Sequence, residues 1–206
     1  MSFAAISTAT LRGFPRQPVA GTRSWLGAAP QGTVKPFRGP ETTLDAMAQA
    51  ALGARGEQSM RVRQFTEWVV RGVWPKDYLG EILAIRNCFV QPSPTRRGSP
   101  LWRYTNDPLH VELVKDPERM VEEVEQHGSA LVDCDDTTVM ATTMCLQVGR
   151  VVELVALGFV TGELSHVGLR ALEPKSNKFI WLDGVAGPRE AEAAGRAKTL
   201  LVMSLD

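Results

Sequence analysis

The sequence predicts an α+β domain in which helices pack on an antiparallel sheet, preceded by an extended N-terminal arm. Three observations lead to this fold class. Ten of the first 40 residues are glycine or proline, helical periodicity dominates from about residue 42 to residue 147, and most strand-like runs follow residue 150. Segregated helices and strands are typical of α+β folds. We therefore expect an arm over 1–41 and one folded domain over 42–206.

Length and composition limit the protein classes to consider. The chain has 206 residues and 44% of them are hydrophobic, which is enough for one medium domain with a core. No run approaches the roughly 18 apolar residues of a membrane-spanning helix, and the N-terminus lacks the apolar centre of a secretion signal. Three cysteines without CxxC spacing argue against a disulfide framework or a zinc ribbon. Cys88 and Cys145 are expected to be small core residues.

The arm cannot build a core of its own. It could be a transit peptide, a disordered tail or an arm that docks on a partner subunit. Its glycines and prolines disfavour the amphipathic helix of a transit peptide. Its aromatic residues favour docking, because they contribute most when they are buried in an interface; they are Phe3, Phe14, Trp25 and Phe37.

A net charge of zero hides a strong local asymmetry. The 23 basic and 23 acidic residues cancel, so the total gives no signal for nucleic-acid binding. Residues 1–40 hold five basic residues and no acidic one, whereas 107–136 holds ten acidic residues and two basic ones. We expect the helical part of the acidic run to be a solvated face. The run as a whole weakly favours a substrate with cationic groups.

Apolar spacing predicts three helices after the arm. The first is expected to have Thr43 as its N-cap and to end near Gly53 or Gly56. The second follows Ser59, a plausible cap, and is stopped by Pro75. The third covers about 77–90.

The rest of the chain alternates loops, helices and strands. A helix over 117–128 is predicted to have Pro117 in its first turn and Gly128 just past its end. Another helix follows Asp133. Composition and alternation predict a loop over 91–100 and extended segments over 101–107, 151–159, 166–173 and 178–183.

Cys134 lies in the run LVDCDDTTVM, between Asp133 and the pair Asp135 and Asp136, immediately before a helical pattern. Burying it would carry three carboxylates inward, which is costly without partners, so we expect it at a surface or in a cleft. The start of a helix stabilises a thiolate, whereas the carboxylates oppose it. A reactive thiol here therefore needs a nearby cation, such as an imidazolium.

His166 and Asp183 are candidates for the base and its orienting acid. His166 begins one strand-like run and Asp183 ends the next, and facing residues on adjacent strands lie about 5 Å apart. With Cys134 they would supply a thiol, a base and a carboxylate. Spacing alone leaves open a surface thiol and an unrelated strand-edge histidine.

Three consecutive motifs resemble the core of the transglutaminase-like superfamily, which has a papain-like fold: DCDDTTVMATTMCLQVGRVVELVALGF, then SHVGLRAL, then FIWLDGV. The upstream runs EILAIRNCFVQ and WRYTNDP are similar to those of phage-encoded members, particularly from Mu-like tailed phages. The resemblance implies that Cys134 is the nucleophile, His166 the general base and Asp183 its orienting partner.

Two positions depart from the family pattern. Val132 stands where many members have glycine, and Val-Gly follows His166 where many have Ala-Trp, which bears on the shape of the acyl pocket. The oxyanion-hole donors are not defined by the motif. The backbone N–H of Cys134 is one expected donor, and Trp102 or Tyr104 is a candidate for the other.

The acidic residues around Cys134 could instead form a metal site. Asp133, Asp135 and Asp136 offer oxygen ligands for calcium or magnesium, but the run lacks the glycine and the terminal glutamate of an EF-hand loop. Zinc would need more cysteine and histidine than the chain can group. We expect no metal and no cofactor, and we expect Asp135 and Asp136 to charge the first turn of the helix favourably.

Two functions follow. In the first, Cys134 attacks a peptide or carboxamide carbonyl of a protein or peptide substrate, and hydrolysis is favoured over cross-linking because water is the default acceptor. In the second, the protein is a virion component of a tail or head–tail junction, active or not, whose arm over 1–41 binds neighbouring subunits. Both imply the host cytoplasm or a virion, with no membrane and no direct nucleic-acid partner.

Overall fold

The computed structural model describes residues 32–35, 40–90, 100–106, 112–160, 164–182 and 196–205. These ranges contain five helices and eight strands. In chain order they are β1 Gly32–Lys35, α1 Pro40–Leu52, α2 Met60–Val70, α3 Tyr78–Val90, β2 Trp102–Tyr104, β3 Glu112–Lys115, α4 Pro117–His127, β4 Ala130–Val132, α5 Cys134–Gln147, β5 Val152–Gly158, β6 His166–Glu173, β7 Lys178–Leu182 and β8 Thr199–Leu205.

The strands of the described residues form three sheets. The largest is antiparallel and has the strand order β7-β6-β5-β8. β1 pairs with β3 in antiparallel fashion, and β2 pairs with β4 in parallel. The predicted α+β class is confirmed, and the parallel pair is an addition to the antiparallel sheet that the sequence predicts.

α5 is the central helix of the core. Every residue from Asp135 to Cys145 is buried, and the helix contacts all four other helices as well as β5 and β6. The prediction that Cys145 is a core residue is confirmed. Apolar side chains from the helices and from the inner face of the large sheet surround α5, among them Met47, Phe65, Ile85, Leu154 and Leu169.

Several helix ends follow the residues that predict them. Ser59 is the N-cap of α2, and its hydroxyl accepts a hydrogen bond from the Val62 N–H at 3.4 Å. α4 begins at Pro117, whose missing N–H costs nothing in a first turn. It ends at Gly128, which has a φ of 79°, in the left-handed region that glycine adopts without strain.

Two predicted ends are wrong. α1 begins at Pro40, so Thr43 lies inside the helix and is not its N-cap. A proline in the first turn and Glu41 beside it both suit the N-terminal end of a helix, where N–H groups are unpaired and the dipole is positive. α2 ends at Val70, five residues before Pro75, where the chain passes into a turn that contains a glycine.

Four strands were not predicted. β1, β3 and β4 have only three or four residues, which is too short for a periodic signal. β8 has the sequence TLLVMSL, in which consecutive apolar residues obscure the alternation of a strand. The predicted loop over 91–99 and the arm residues 1–31 and 36–39 lie outside the described residues. Among the described helices, none combines the length and the apolarity needed to cross a bilayer.

Candidate active site

Cys134 is the first residue of α5 and is half-buried. Asp133 is the N-cap, and its carboxylate accepts a hydrogen bond from the Asp136 N–H at 3.2 Å. A thiol in this position lies at the positive end of the helix dipole, which favours the thiolate.

The three aspartates around Cys134 are buried, with 8% of Asp133, 2% of Asp135 and 4% of Asp136 exposed. Hydrogen bonds compensate the burial of two of them. Asp133 caps the helix, and Asp136 accepts a hydrogen bond from the backbone N–H of Lys115 at 2.8 Å. Cys134 was expected at a surface or in a cleft, and it is half-buried; the carboxylates beside it are buried, and β3 supplies a partner for Asp136 that the sequence did not reveal.

Lys115 is the cation of this region. Its ammonium lies 3.9 Å from the Asp136 carboxylate and donates hydrogen bonds to Glu123 at 3.3 Å and to the carbonyl of Leu131 at 2.5 Å. It thus ties β3, α4 and the first turn of α5 together. Sequence reasoning missed this residue, although it is one of only two basic residues in the acidic run.

The acidic residues of α4 are paired and do not form a solvated face. Arg55 and Arg61 approach from the α1–α2 side, and Arg119 lies on α4 itself. The closest pairs are Arg55–Glu118 at 3.4 Å, Arg61–Glu122 at 2.5 Å, Arg61–Glu125 at 3.5 Å and Arg119–Glu123 at 3.2 Å. Burial raises the pKa of Glu125, and Arg61 partly offsets that rise. These arginines balance much of the negative charge of α4, and the preference for a cationic substrate stays a prediction.

Thr138 joins the start of α5 to the start of β6. Its buried hydroxyl lies 2.6 Å from the carbonyl oxygen of Cys134 and 3.3 Å from that of Val167. A hydroxyl carries one proton, so the two carbonyls share a single donor. The Thr138 hydroxyl thereby links the turn that carries Cys134 to the residue that follows His166.

His166 is the first residue of β6, is half-buried and lies opposite Leu157 of β5. Alternation along a strand directs the side chains of His166 and Val167 to opposite faces, and Val167 belongs to the core that α5 fills. The expectation that the His166 imidazole lies within hydrogen-bond reach of the Cys134 thiol stays a prediction.

Asp183 follows the last residue of β7 and lies outside the described residues. β7 pairs with β6 in an antiparallel register that places Leu182 opposite Leu169. The assignment of Asp183 as the orienting acid stays a prediction.

The two side chains considered as oxyanion donors differ in their surroundings. Trp102 is 7% exposed and packs among aromatic rings of α2 and α3, whereas Tyr104 is 56% exposed. Tyr104 lies opposite Val132 in the β2–β4 pair, and the Thr105 N–H donates to the Val132 carbonyl at 2.9 Å. Since Val132 is two residues before Cys134, Tyr104 is the better placed of the two.

The other two thiols are held in the protonated form. Burial raises the pKa of Cys145 to about 12 and that of Cys88 to about 12, in the latter case against a hydrogen bond from Trp102 that lowers it. Cys88, predicted to be buried, is half-buried and packs against the core. Neither has an appreciable thiolate fraction at neutral pH.

The carboxylate oxygens of Asp133, Asp135 and Asp136 lie within 4.8 Å of one another. Asp133 is engaged as the helix cap, and Asp136 is engaged with Lys115. Two of the three carboxylates are thus engaged by contacts within the chain, and the expectation that the cluster holds no metal stays a prediction.

No protein-family profile and no curated protein sequence matches the chain. Its fold resembles a solved structure, a "putative protease" from Parabacteroides distasonis, with a TM-score of 0.48 and 12% sequence identity. The similarity covers 71% of this chain and 27% of that one, so the chain spans about a quarter of the length of that protein.

Proposed function

We propose that this protein is a cysteine-dependent acyl-transfer enzyme of the transglutaminase-like type that hydrolyses peptide or carboxamide bonds. The observation that carries the proposal is the position of Cys134, a half-buried thiol on the first residue of α5, after the capping Asp133. The motif series that includes His166 and Asp183 supports the same function. In this proposal His166 is the general base and Asp183 orients it.

The proposed reaction has two steps. The Cys134 sulfur attacks the carbonyl carbon as His166 takes the thiol proton, and the amine leaves with a proton from the imidazolium to give a thioester. Water then attacks the thioester with His166 as base, which releases the acid and restores the thiol. The backbone N–H of Cys134 and the hydroxyl of Tyr104 are the proposed donors to the oxyanion.

Site-resolved alkylation tests the proposal. Iodoacetamide should modify Cys134 at least tenfold faster than Cys88 or Cys145 in the folded protein, because a raised pKa leaves those two thiols protonated. The measurement is the time course of each modified peptide by mass spectrometry. Equal labelling of the three thiols, or no labelling of Cys134, would contradict the proposal.

Two histidine variants distinguish a catalytic role of His166 from a general effect of removing a histidine. His166→Ala should slow the alkylation of Cys134 near pH 6.5 by roughly tenfold, because the imidazolium no longer stabilises the thiolate. His127→Ala, on the exposed last turn of α4, should leave the rate unchanged and serves as the matched control. Identical rates in the two variants would remove His166 from the mechanism.

A second candidate function is assembly into a virion or another oligomer through the arm. The observation that favours it is β1, an extended piece of the arm that binds by adding a strand to β3. Segments that bind in this way can also add to the same edge of a neighbouring copy. Deletion of residues 1–39 should then abolish particle or oligomer formation while the domain stays folded, and unchanged assembly would count against this role.

A further inference from the structure

Two threonines, Thr137 and Thr138, lie in the first turns of α5, and of these Thr138 has a described hydrogen bond to another element. Its hydroxyl reaches the carbonyl of Cys134 in its own helix and the carbonyl of Val167 in β6. Thr137, one residue earlier, bonds only within the same turn, to the carbonyls of Asp133 at 2.9 Å and Cys134 at 3.1 Å. Of these two threonines, Thr138 is the one that links this turn to the strand that begins with His166.

A second buried threonine of α5, Thr143, makes a similar pair of hydrogen bonds far from Cys134. Thr143 bonds the carbonyl of Val139 in α5 at 3.0 Å and lies 3.4 Å from the carbonyl of Ala51 in α1. It is as deeply buried as Thr138, and it also ties α5 to another element. Thr143 thus matches Thr138 in chemistry and burial but not in location.

We infer that Thr138 is a positioning residue that sets the separation between the Cys134 thiol and the His166 imidazole by holding the start of β6 against the first turn of α5. The inference rests on the proposed function and deepens it. Val167 packs in the core that α5 fills. The Thr138 hydroxyl, shared between the carbonyls of Cys134 and Val167, links the backbone next to His166 to the turn that carries Cys134.

Four variants test this role. Thr138→Val keeps the shape of the side chain and removes the donor, and Thr138→Ser keeps the donor. Thr143→Val is the control for lost stability, and Thr137→Val is the control for a change within the same turn. If Thr138→Val does not fold, Thr138→Ala takes its place, since it also removes the donor without adding bulk.

The readout is the rate of Cys134 alkylation as a function of pH, with the melting temperature measured beside it. Thr138→Val should slow alkylation near pH 6.5 by roughly tenfold and move the profile toward that of a free thiol, at about pH 8.5. Thr138→Ser should restore the wild-type profile. Thr143→Val and Thr137→Val should change the rate by less than about twofold, and Thr143→Val should lower the melting temperature as much as Thr138→Val does.

The charged groups that face this turn stay the same in all four variants. They are Asp133, Asp135 and Asp136 of α5 and Lys115 of β3. A changed pH profile therefore reports the position of His166 and not a new charge beside the sulfur.

A double-mutant cycle with His166→Ala decides the matter. If Thr138 acts through His166, then adding Thr138→Val to His166→Ala has no further effect on the rate. An equal slowing by Thr138→Val in both backgrounds would overturn the inference, as would an unchanged rate in the single variant. If wild type and His166→Ala react alike, the proposed function itself fails.

Discussion

Lys115 shows how the charge around Cys134 is balanced. None of the three nearby aspartates has a basic residue beside it in the sequence, yet the buried Asp136 has a cationic partner because Lys115 reaches it from β3. The same ammonium binds Glu123 of α4 and a carbonyl of the preceding segment. A single lysine therefore satisfies groups on three elements.

Removing this ammonium should be costly. Lys115→Met keeps the length of the side chain but leaves the buried Asp136 without the ammonium beside it, and leaves the buried Glu123 with Arg119 as its remaining ion-pair partner. We expect a loss of about 3 kcal/mol in the free energy of unfolding, measured by urea denaturation. Lys178→Met, at the exposed start of β7, is the control and should change it by less than about 0.5 kcal/mol. If Lys115→Met lowers the free energy of unfolding by less than about 1 kcal/mol, then the Lys115 ion pairs contribute no more than surface ion pairs do.

Residues with a motif around them could be identified from the sequence, and residues that act through distant partners could not. Cys134 was found because three carboxylates flank it, and its place at the start of a helix agrees with the prediction. Lys115 and Thr138 carry no local signal, since their partners lie 21 and 29 residues away in sequence.

Substituting Gly128, at the C-terminal end of α4, and Gly72, after α2, tests whether the left-handed backbone at Gly128 requires glycine. Gly128 and Gly72 both have open space where a Cβ would stand, but only Gly128 has a left-handed φ. Gly128→Ala should lower the free energy of unfolding by about 1 kcal/mol because of backbone strain. Gly72→Ala should leave it unchanged or raise it by up to about 0.5 kcal/mol through the unfolded state. Equal effects in denaturant titrations would contradict the assignment of the cap.

The turn between β6 and β7 should depend on pH through Glu173. Hydrogen bonds from Ser176 and Lys175 lower the pKa of its carboxyl. A lowered folded-state pKa contributes stability above the unfolded-state pKa, and that stability is lost as the pH falls through the folded-state value. Glu173→Gln should therefore lower the melting temperature at about pH 7, and the difference from wild type should shrink at about pH 3.

An exposed glutamate provides the control for this pH effect. Glu67→Gln on α2 should melt like wild type at both pH values. A deficit for Glu173→Gln that is as large in acid as at neutral pH would show that the turn does not depend on the ionised carboxylate.

At the level of elements, prediction succeeded where the signal is local. Ser59, Pro117 and Gly128 bracket helices by cap chemistry, and each does so in the structure. The start of α1 was missed because Thr43 has the chemistry of an N-cap, while Pro40 and Glu41 satisfy the same requirement three residues earlier. The short strands were missed because their pairing partners, not their own sequences, determine them.

At the scale of the whole molecule, one segment of the arm is part of the domain. β1 pairs with β3, whose last residue, Lys115, holds the first turn of α5. Sequence composition could separate the arm from the domain but not reveal this contact, because strand pairing joins residues about 80 positions apart. The arm and the candidate site are thus connected through β3.

Two truncations measure what β1 contributes. Deletion of residues 1–39 should lower the melting temperature by roughly 2–4 °C, because β3 loses its partner strand. Deletion of residues 1–31 leaves β1 in place and should not change the melting temperature. Calorimetry makes the comparison, and an unchanged melting temperature without β1 would show that the pairing adds no stability.

The central claim is that Cys134 is an acyl-accepting nucleophile, and covalent capture of the acyl group tests it most directly. The protein is mixed with p-nitrophenyl acetate, quenched in acid, digested and mapped by mass spectrometry. We predict an acetyl thioester on Cys134 that forms with a burst of p-nitrophenolate, forms more slowly in His166→Ala and disappears on further incubation as water hydrolyses it. Acetylation confined to lysines, or acetylation of Cys134 at the same rate in wild type and His166→Ala, would contradict the claim.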